Sequence, residues 1–355
     1  MIDTGGAARL RFVSVSGTPF ERGRALGAAL GARIRAFLGE GVARLEWVLG
    51  RAVDRDRLSA PIGAHAALIE RHLPEIADEI HGLAEGAGIT IEDAYLLQMR
   101  REIVAAPATD CTTIVRERTA VIAQTIDLPG RLRDLAVAVR TECEAGVAVQ
   151  VTFAGLLGYV GMNDRGLAVG INMLQAAGSR PGIPPYLIVR RLLELESAEA
   201  CIDEIARLPR ASPRCYTLVD RTTAAAVETT CDAMDVMRGS TLVHTNHYLS
   251  ERLSTLDRSH IVHRRESRRR REHALAELGR LEDQELGEIA SERLFDVLSA
   301  HGESPVCIHG PGDPRLAETV AAVVLCPMEG QLLARLGPPC SAVTQVLCAH
   351  GEPAC

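Results

Sequence analysis

The sequence PATDCTTIVRERTAVIAQTID, residues 107–127, marks an abrupt change in the character of the chain. Helical periodicity precedes it, whereas β-branched and small apolar residues dominate from Ile114 onward. The Arg-Glu-Arg interruption at 116–118 predicts two strands joined by a polar turn. Cys111 stands at the boundary, directly before two hydroxyl residues. Most cysteines are small buried apolar side chains, but the position of Cys111 makes it a candidate nucleophile.

The elements on either side of this boundary predict an α+β protein. Upstream, Leu26, Leu30 and Ile34 follow the 3.6-residue period of an amphipathic helix. Pro74 opens a further helix, and Thr90 is the expected N-cap of the next one. Downstream, the strands come in hairpins flanked by blocks of helices, which favours a layered α+β domain over a doubly wound parallel sheet. The other predicted elements are strands at 135–142, 146–153 and 166–174, a hairpin at 215–230, a helix at 264–279 and a strand pair at 319–337. A helical pair is predicted over 185–208, with Ser197 as the N-cap between its two halves.

Composition narrows the classes of partner. The 355 residues carry a net charge of −7 and only 3% aromatic side chains, which argues against a nucleic-acid backbone and against base stacking. No apolar run approaches the ~20 residues that span a bilayer, and the N-terminus lacks the regions of a signal peptide. The ten cysteines include no Cys-x-x-Cys pair. We therefore expect a cytoplasmic protein with no nucleic-acid partner, no membrane association and no metal site.

The chemistry available to Cys111 depends on the peptide bond before it. If that bond is cut, the free α-amine belongs to the nucleophilic residue itself and can take the thiol proton directly or through one water. The reference pKa is about 7.7–8.0 for the amine and about 8.5 for the thiol, so both lie near working pH. An N-terminal cysteine therefore supplies nucleophile and base together, and no catalytic histidine is needed.

Several short segments follow one another in a characteristic order along nearly the whole chain. They are GTPFERGRALGAAL (17–30), DCTTIV (110–115), AQTIDLPG (123–130), GMNDRGLAVGIN (161–172), HTNHYL (244–249) and RLGPPC (335–340). Together they resemble the acyl-CoA:6-aminopenicillanic acid acyltransferase family, relatives of the choloylglycine and penicillin V amidases among the N-terminal-nucleophile (Ntn) hydrolases. Each segment alone is only moderately specific, whereas their common order is hard to explain by chance.

The resemblance implies a fold and four catalytic roles. The fold is the four-layer αββα sandwich of Ntn hydrolases, with two facing antiparallel sheets between layers of helices. Cys111 matches the family nucleophile, and Asp127 matches the carboxylate that contacts its amine. Asn172 matches the side-chain amide of the oxyanion hole. Asn246 matches a second asparagine near the nucleophile, expected to assist Asn172.

Other residues match supporting positions. Gln124 stands where bile-salt and penicillin V amidases carry an arginine, and we expect it to have a role in a polar pocket. Thr113 adds a hydroxyl group close to the nucleophile, while Ser267 and Arg268 resemble a late Ser-Arg pair near the active site. Asp110 replaces the glycine that precedes the processed cysteine in the fungal pattern. It either assists autocleavage as an acid or base, or leaves processing slow or absent.

These assignments predict a self-processed amide hydrolase or acyltransferase. Autocatalytic cleavage would leave residues 1–110 as a helical small subunit bound to residues 111–355, the two forming one structural domain, with a homo-oligomer left open. The substrate would be a small acylated amine, an N-acyl amino acid or a specialised metabolite. No cofactor is expected, although acyl-CoA is an available co-substrate. Hydrolysis and acyl transfer differ only in the acceptor that reaches the thioester.

Two other interpretations remain open from the sequence. A non-catalytic relative would keep the fold as a binding protein. An unprocessed cysteine enzyme would use His244 or His247 as its base. These two histidines lack the cysteine or carboxylate cluster of a metal site. The basic run RRESRRRR, 264–271, is typical of a solvated helical face, with one arginine turned inward to hold a carboxylate or orient the nucleophile.

Overall fold

Two β-sheets form the centre of the protein in a computed structural model that describes residues 9–103, 111–285, 290–310 and 312–349. The strands alternate side chains between their two faces, and most face residues are buried. The strands are β1 (Arg11–Ser16), β2 (Thr113–Arg116), β3 (Val121–Leu128), β4 (Ala136–Cys143), β5 (Gly146–Phe153), β6 (Val160–Asn163), β7 (Ala168–Met173), β8 (Arg214–Val219), β9 (Ala224–Thr229), β10 (Met234–Arg238), β11 (Thr241–His244), β12 (Glu318–Cys326), β13 (Gln331–Leu336) and β14 (Thr344–Cys348).

The helices lie outside the two sheets. They are α1 (Pro19–Gly39), α2 (Gly41–Leu49), α3 (Ser59–His72), α4 (Pro74–Ala87), α5 (Ile91–Met99), α6 (Pro185–Leu192), α7 (Ala198–Arg207), α8 (Glu251–Ser254), α9 (Ile261–Glu285) and α10 (Leu294–Leu298). Among the described residues, no helix is both long and apolar enough to cross a membrane.

The layers confirm the predicted αββα sandwich. The strand order is β1-β4-β5-β6-β7-β8-β9-β10 in one sheet and β11-β2-β3-β12-β13-β14 in the other. The sheets face each other because β2 and β3 contact β7 and β8. Helices α1, α6 and α7 contact the eight-stranded sheet, whereas α9 and α10 contact the six-stranded one. The nucleophile candidate therefore precedes β2, a strand of the six-stranded sheet. This sheet lies between the eight-stranded sheet and the helices α9 and α10.

The N-terminal region departs from the predicted helical leader in one respect. Arg11–Ser16 forms a strand, β1, which pairs in parallel with β4. This is the parallel pair in a sheet whose other neighbours are antiparallel. No hairpin signal marks this strand in the sequence, because its partner strand begins only at Ala136. Residues before the candidate cleavage point thus complete the sheet of the larger segment.

Glycines in α1 and α4 allow these two helices to touch through their backbones. A Cβ atom added at Gly23 of α1 would lie 1.9 Å from the carbonyl oxygen of Glu79 in α4. One added at Gly82 would lie 2.0 Å from the carbonyl oxygen of Phe20. Such distances are far below van der Waals contact, so only glycine permits this approach. Gly86 belongs to the same interface within α4, and the helix ends at Gly88, which has a left-handed φ of 64°.

Local start signals in the sequence are confirmed. Thr90 accepts a hydrogen bond from the Asp93 N–H and caps α5. Ser197 accepts one from the Ala200 N–H and caps α7. The hairpin predicted within residues 107–127 is β2–β3. Each of these features depends on neighbouring residues, which is why sequence alone could locate them.

Candidate active site

Cys111 lies immediately before β2, with 2% of its surface exposed. The pairing of β2 with β3 continues past the start of β2, because Thr112 N–H donates to Thr125 Oγ1 and Thr125 N–H donates to the Thr112 carbonyl. Two asparagines hold the backbone of Cys111 itself. Its N–H donates to Asn246 Oδ1 at 2.9 Å, and its carbonyl accepts from Asn172 Nδ2 at 3.2 Å. The candidate nucleophile is therefore fixed on both sides by side chains from other strands.

Asn172, near the end of β7, is a buried amide with a defined orientation. Its Oδ1 accepts a hydrogen bond from Thr113 Oγ1 at 2.8 Å. Its Nδ2 consequently faces the carbonyl of Cys111 and lies 3.5 Å from the carbonyl of His244. An amide donor held in place before reaction is the kind of group that stabilises a developing oxyanion. Thr113 lies at the site as the residue that orients this donor.

Asn246 follows β11 and presents its oxygen, not its nitrogen, to Cys111. The Oδ1 atom accepts from the Cys111 N–H and from Arg270 Nη2, the latter at 2.6 Å. The Nδ2 atom donates to the Met173 carbonyl at 3.1 Å. The backbone N–H of Asn246 donates to Ser267 Oγ at 2.8 Å. In this arrangement Asn246 is an acceptor for the nitrogen of Cys111, whereas the sequence analysis expected it to assist Asn172 with the oxyanion.

Helix α9 supplies one serine and one arginine to the site. Ser267 and Arg270 are three residues apart and therefore lie on the same helix face. Both are buried, with 0% and 4% of their surfaces exposed. Arg268 is exposed to solvent on another face. The structure thus brings together Ser267 and Arg270 rather than the predicted Ser267–Arg268 pair, and the inward arginine holds the Asn246 amide that contacts Cys111.

Asp127 is a fully buried carboxylate on β3. Its Oδ2 accepts from Thr125 Oγ1 at 2.9 Å, and its Oδ1 accepts from Thr319 Oγ1 at 2.6 Å. Thr125 also accepts from the N–H of Thr112, the residue that follows Cys111. Asp127 is therefore joined through Thr125 to the start of β2. The carboxylate lies on β3, the strand that pairs with β2, close to the nucleophile candidate.

Gln124 joins the two sheets beside Asn172. Its Nε2 donates to the Ile171 carbonyl at 2.8 Å, and its Oε1 accepts from the Ile171 N–H at 3.1 Å. Gly170 makes room for this side chain, since a Cβ there would lie 2.6 Å from Gln124 Oε1. Both ends of the amide are occupied by backbone. Gln124 thus positions the end of β7, in place of the polar pocket role that the resemblance implied.

The two histidines near Asn246 are held by their own partners. His244 Nε2 lies 2.7 Å from Glu228 Oε1, and its Nδ1 lies 2.7 Å from the Thr245 carbonyl. With both ring nitrogens occupied, His244 has no free lone pair for a thiol proton. His247 Nδ1 lies 2.8 Å from Ser267 Oγ. Burial, together with the positive charge of His244 and nearby arginines, lowers the pKa of His247 to about 3. These contacts favour structural roles for both histidines.

Two cavities border this arrangement, and they differ in character. Tyr159 adjoins the first, and its pKa is raised well above the usual value by burial and then by its electrostatic interaction with Cys111. This cavity has an empty volume of about 440 Å³, counted with the solvent at its mouth, and is mainly apolar. Its apolar lining includes Phe37, Leu97, Leu128, Phe153, Leu156 and Tyr186.

The second cavity has a mixed polar and apolar lining with more charged side chains, and it shares Arg101 with the first. Its empty volume is about 660 Å³, and Glu102, Met173, Arg214 and Arg258 are among the residues that line it. Arg214 Nη2 pairs with Glu102 Oε1 at 2.7 Å. Because Asn246 contacts the Met173 carbonyl, this cavity reaches the same group of residues from another side. Cys111 thus has an apolar space and a charged space nearby.

Sequence reasoning did not identify Arg270, Tyr159 or Arg101. Arg270 could have been selected by its three-residue spacing from Ser267, but five neighbouring arginines in 264–271 offered similar choices. Tyr159 and Arg101 belong to no matched segment, and only the folded chain brings Tyr159 near Cys111 and Arg101 near Met173. The predicted autocleavage residue Asp110 lies outside the described residues.

The family model described as "Acyl-coenzyme A:6-aminopenicillanic acid acyl-transferase" matches residues 115–331. The matched stretch runs from β2 to the start of β13 and contains Asp127, Asn172, Asn246 and Arg270. This chain belongs to that family. Cys111 lies just ahead of the matched stretch, in the segment that leads into β2. The match to the acyltransferase family therefore covers most strands of both facing sheets, though not β1 or β14, and most of the residues that surround the cysteine.

One curated relative in the acyltransferase family is the "Acyl-coenzyme A:6-aminopenicillanic-acid-acyltransferase 40 kDa form" of Emericella nidulans. It is 28% identical over 195 residues, which are 51% of this chain and 54% of the relative. The chain thus spans about half the length of the curated relative that it matches.

Solved structures of amide-cleaving proteins are also similar at a distance. The N-acylethanolamine-hydrolyzing acid amidase ortholog of Caenorhabditis elegans has a TM-score of 0.43 and 19% identity over 61% of this chain and 93% of that chain. A variant of the conjugated bile acid hydrolase of Clostridium perfringens has a TM-score of 0.48 and 10% identity over 68% and 94%. The penicillin V acylase of Agrobacterium tumefaciens has a TM-score of 0.43 and 13% identity over 67% and 90%.

Proposed function

We propose that this chain is a self-processed cysteine amide hydrolase or acyltransferase with Cys111 as its nucleophile. The observation that carries the proposal is the 2.9 Å hydrogen bond from the Cys111 N–H to Asn246 Oδ1. Arg270 holds that acceptor in place. Cutting the preceding peptide bond converts this N–H into an α-amine that already has an oriented partner. The amine then serves as the base for its own thiol.

Maturation uses the same sulfur before any substrate binds. Cys111 Sγ attacks the carbonyl carbon of Asp110, the peptide C–N bond breaks, and the freed amine keeps the thiol proton. Water then hydrolyses the resulting thioester. The products are residues 1–110, which end in a new carboxylate, and residues 111–355, which begin with a free amine and thiol. Pairing between β1 and β4 supports continued association of the two pieces.

Turnover then proceeds through a thioester acyl-enzyme. The α-amine of Cys111 accepts the thiol proton while Sγ attacks the acyl carbonyl of the substrate. Asn172 Nδ2, oriented by Thr113, stabilises the oxyanion of the tetrahedral intermediate. The leaving amine takes the proton back from the ammonium group as its C–N bond breaks. Water or a second amine then attacks the thioester, which gives hydrolysis or acyl transfer.

The two cavities support an acylated amine with unlike ends as substrate. The apolar cavity suits an aliphatic or aromatic acyl group, since Phe153, Leu156 and Tyr159 line it. Arg101 and Arg258 line the second cavity, so a carboxylate on the amine portion of a substrate would be favourably bound there. We therefore propose an N-acyl amino acid or a similar anionic amide, with an acyl-CoA thioester as the acyl donor when transfer takes place.

The decisive experiment compares intact masses of the purified wild type and of Cys111→Ala. We expect fragments 1–110 and 111–355 for the wild type and one uncut chain for the variant. Cys201→Ala is the matched control, because Cys201 is a fully buried cysteine of α7 away from the site; it should be cut like the wild type. An uncut wild-type chain that still turns over amides would overturn the amine mechanism. An uncut chain whose Cys111 resists iodoacetamide would support the non-catalytic binding protein instead.

A further inference from the structure

Four side chains of metal-binding type converge on the side of the molecule where α10 leads into β12. His301, Cys307 and His309 belong to that connection, and Cys340 belongs to the turn between β13 and β14. The donor atoms of all four lie within 4.8 Å of one another. Cys307 is buried, whereas the other three are exposed. The cluster therefore joins two segments that are distant in sequence.

The spacing of the donor atoms fits a tetrahedral ion. Cys307 Sγ lies 3.6 Å from Cys340 Sγ, and His309 Nε2 lies 3.2 Å from Cys340 Sγ and 3.9 Å from Cys307 Sγ. The rings of His301 and His309 are neighbours, with centroids 5.2 Å apart. Tetrahedral zinc with ordinary ligand bonds implies about 3.8 Å between two sulfurs and about 3.6 Å between sulfur and nitrogen. The three distances among Cys307, His309 and Cys340 agree with these values to within a few tenths of an ångström, and the donor atom of His301 lies within 4.8 Å of theirs.

We propose that His301, Cys307, His309 and Cys340 bind a structural zinc ion. Two thiolates and two imidazoles are a donor set that selects zinc in tetrahedral geometry. Four protein donors leave no position for water or substrate, so the site is structural rather than catalytic. On binding, each cysteine exchanges its S–H bond for an S–Zn bond and releases a proton, while the imidazoles bind in their neutral form.

A disulfide is the competing use of the two cysteines. It would join Cys307 to Cys340 with the loss of two electrons and two protons. His301 and His309 would have no role in such a bond. The imidazoles surround the thiols, which favours the metal. The spacing in sequence hid the site, because the ligands follow His-x₅-Cys-x-His and the fourth comes from the distant GPPC segment. Cys340, the last residue of the RLGPPC segment, would thereby have a specific role as a metal ligand.

The proposed ion braces the strand beside the nucleophile candidate. Ile308 lies between two of the ligands, and its N–H donates to Thr319 Oγ1 at 2.9 Å. Thr319 in turn donates to Asp127 Oδ1 at 2.6 Å, and its own N–H donates to the Ile308 carbonyl. Fixing Cys307 and His309 would therefore also fix the hydrogen-bond donor of Asp127. The zinc proposal itself does not depend on the proposed catalytic function.

The test measures metal in the untagged full-length chain purified under reducing conditions from zinc-supplemented medium. Elemental analysis should give about one zinc per chain. We expect that zinc to be lost in Cys340→Ser and in His309→Ala. Cys348→Ser is the matched control, since Cys348 is a half-buried cysteine of β14 outside the cluster, and it should retain the ion. Circular dichroism establishes that each variant is folded.

Titration of the metal-free wild type with cobalt provides a readout that needs no variant. Tetrahedral thiolate ligation should produce intense visible absorption bands, and added zinc should abolish them. A wild type that contains no zinc and gives no such bands would refute the site, as would zinc that survives in both ligand variants. An intact mass about 2 Da lower under non-reducing conditions, with no metal bound, would establish the disulfide in its place.

Discussion

Replacing Arg270 with methionine tests the orientation of Asn246 directly. Arg270 Nη2 lies 2.6 Å from Asn246 Oδ1, and the same oxygen accepts from the N–H of Cys111. Methionine fills a similar apolar volume but donates no hydrogen bond. The amide of Asn246 would lose the charged donor that holds its oxygen toward Cys111. We expect self-cleavage and thiol reactivity to fall while the fold is retained.

The magnitude follows from the kind of contact that is lost. A hydrogen bond from a charged donor contributes about 1.5–3 kcal/mol, and about 1.4 kcal/mol corresponds to a factor of ten in rate. Arg270 is 4% exposed, so water does not readily replace it. Self-cleavage should therefore slow roughly 10- to 100-fold in Arg270→Met. A nearby cation also lowers the pKa of an amine, so its removal should shift the rising limb of thiol reactivity to higher pH.

The assay follows precursor conversion on denaturing gels after cell-free synthesis, which needs no knowledge of the substrate. The rate of iodoacetamide labelling of Cys111 against pH supplies the second readout. Arg268→Met is the matched control, since it removes an exposed arginine from the same helix, and we expect less than a twofold effect. Equal losses in the two variants, or cleavage of Arg270→Met at the wild-type rate, would refute the reasoning. Arg270→Lys should recover part of the rate by restoring a charged donor.

Three further changes have calculable outcomes. Asn172→Ala should reduce turnover of the matured protein roughly 10²- to 10³-fold, measured as kcat on an N-acyl amide, and near-normal turnover would remove it from the mechanism. Gly82→Ala should lower the free energy of unfolding in urea by about 1–3 kcal/mol because its Cβ meets the Phe20 carbonyl, whereas Gly63→Ala, with open space around it, should not destabilise. His247 has a folded pKa of about 3 against 6.5 when unperturbed, so its contribution to stability is complete above about pH 6.5 and declines as pH falls toward 3. His247→Gln should flatten that decline in urea unfolding at several pH values, and an unchanged profile would contradict it.

The parts of the fold that depend on neighbouring residues could be predicted from the sequence. The hairpin after Cys111, the cap at Thr90 and the break at Ser197 each depend on a few adjacent residues. The αββα layering followed from strands in hairpins and from the family resemblance. The strand β1 could not be found in this way, because it pairs with β4 across more than a hundred residues and its six residues resemble no hairpin arm.

The residues of the candidate site also divide into those that the sequence could predict and those that it could not. Asn172 and Asn246, which belong to matched segments, contact the backbone of Cys111, and their catalytic roles stay predictions. Arg270 could not be singled out from its run of arginines, because which of them points inward depends on how α9 rotates against the sheet. The orientation of the Asn246 amide depends on three partners from three elements, and no sequence pattern records which end faces the nucleophile. Tertiary packing decided both.

The strand β1 has a consequence for how the protein can be made. Its parallel pairing with β4 means that the piece ahead of Cys111 is woven into the piece behind it while both are one chain. After the proposed cut, the same pairing would require two separate molecules to meet. Folding would be a first-order process before the cut and a second-order process afterwards. A matured sample that has been unfolded would therefore refold more slowly as it is diluted. The chain would have to fold before it is cut and becomes active, and refolding after the cut would be slower than the first folding.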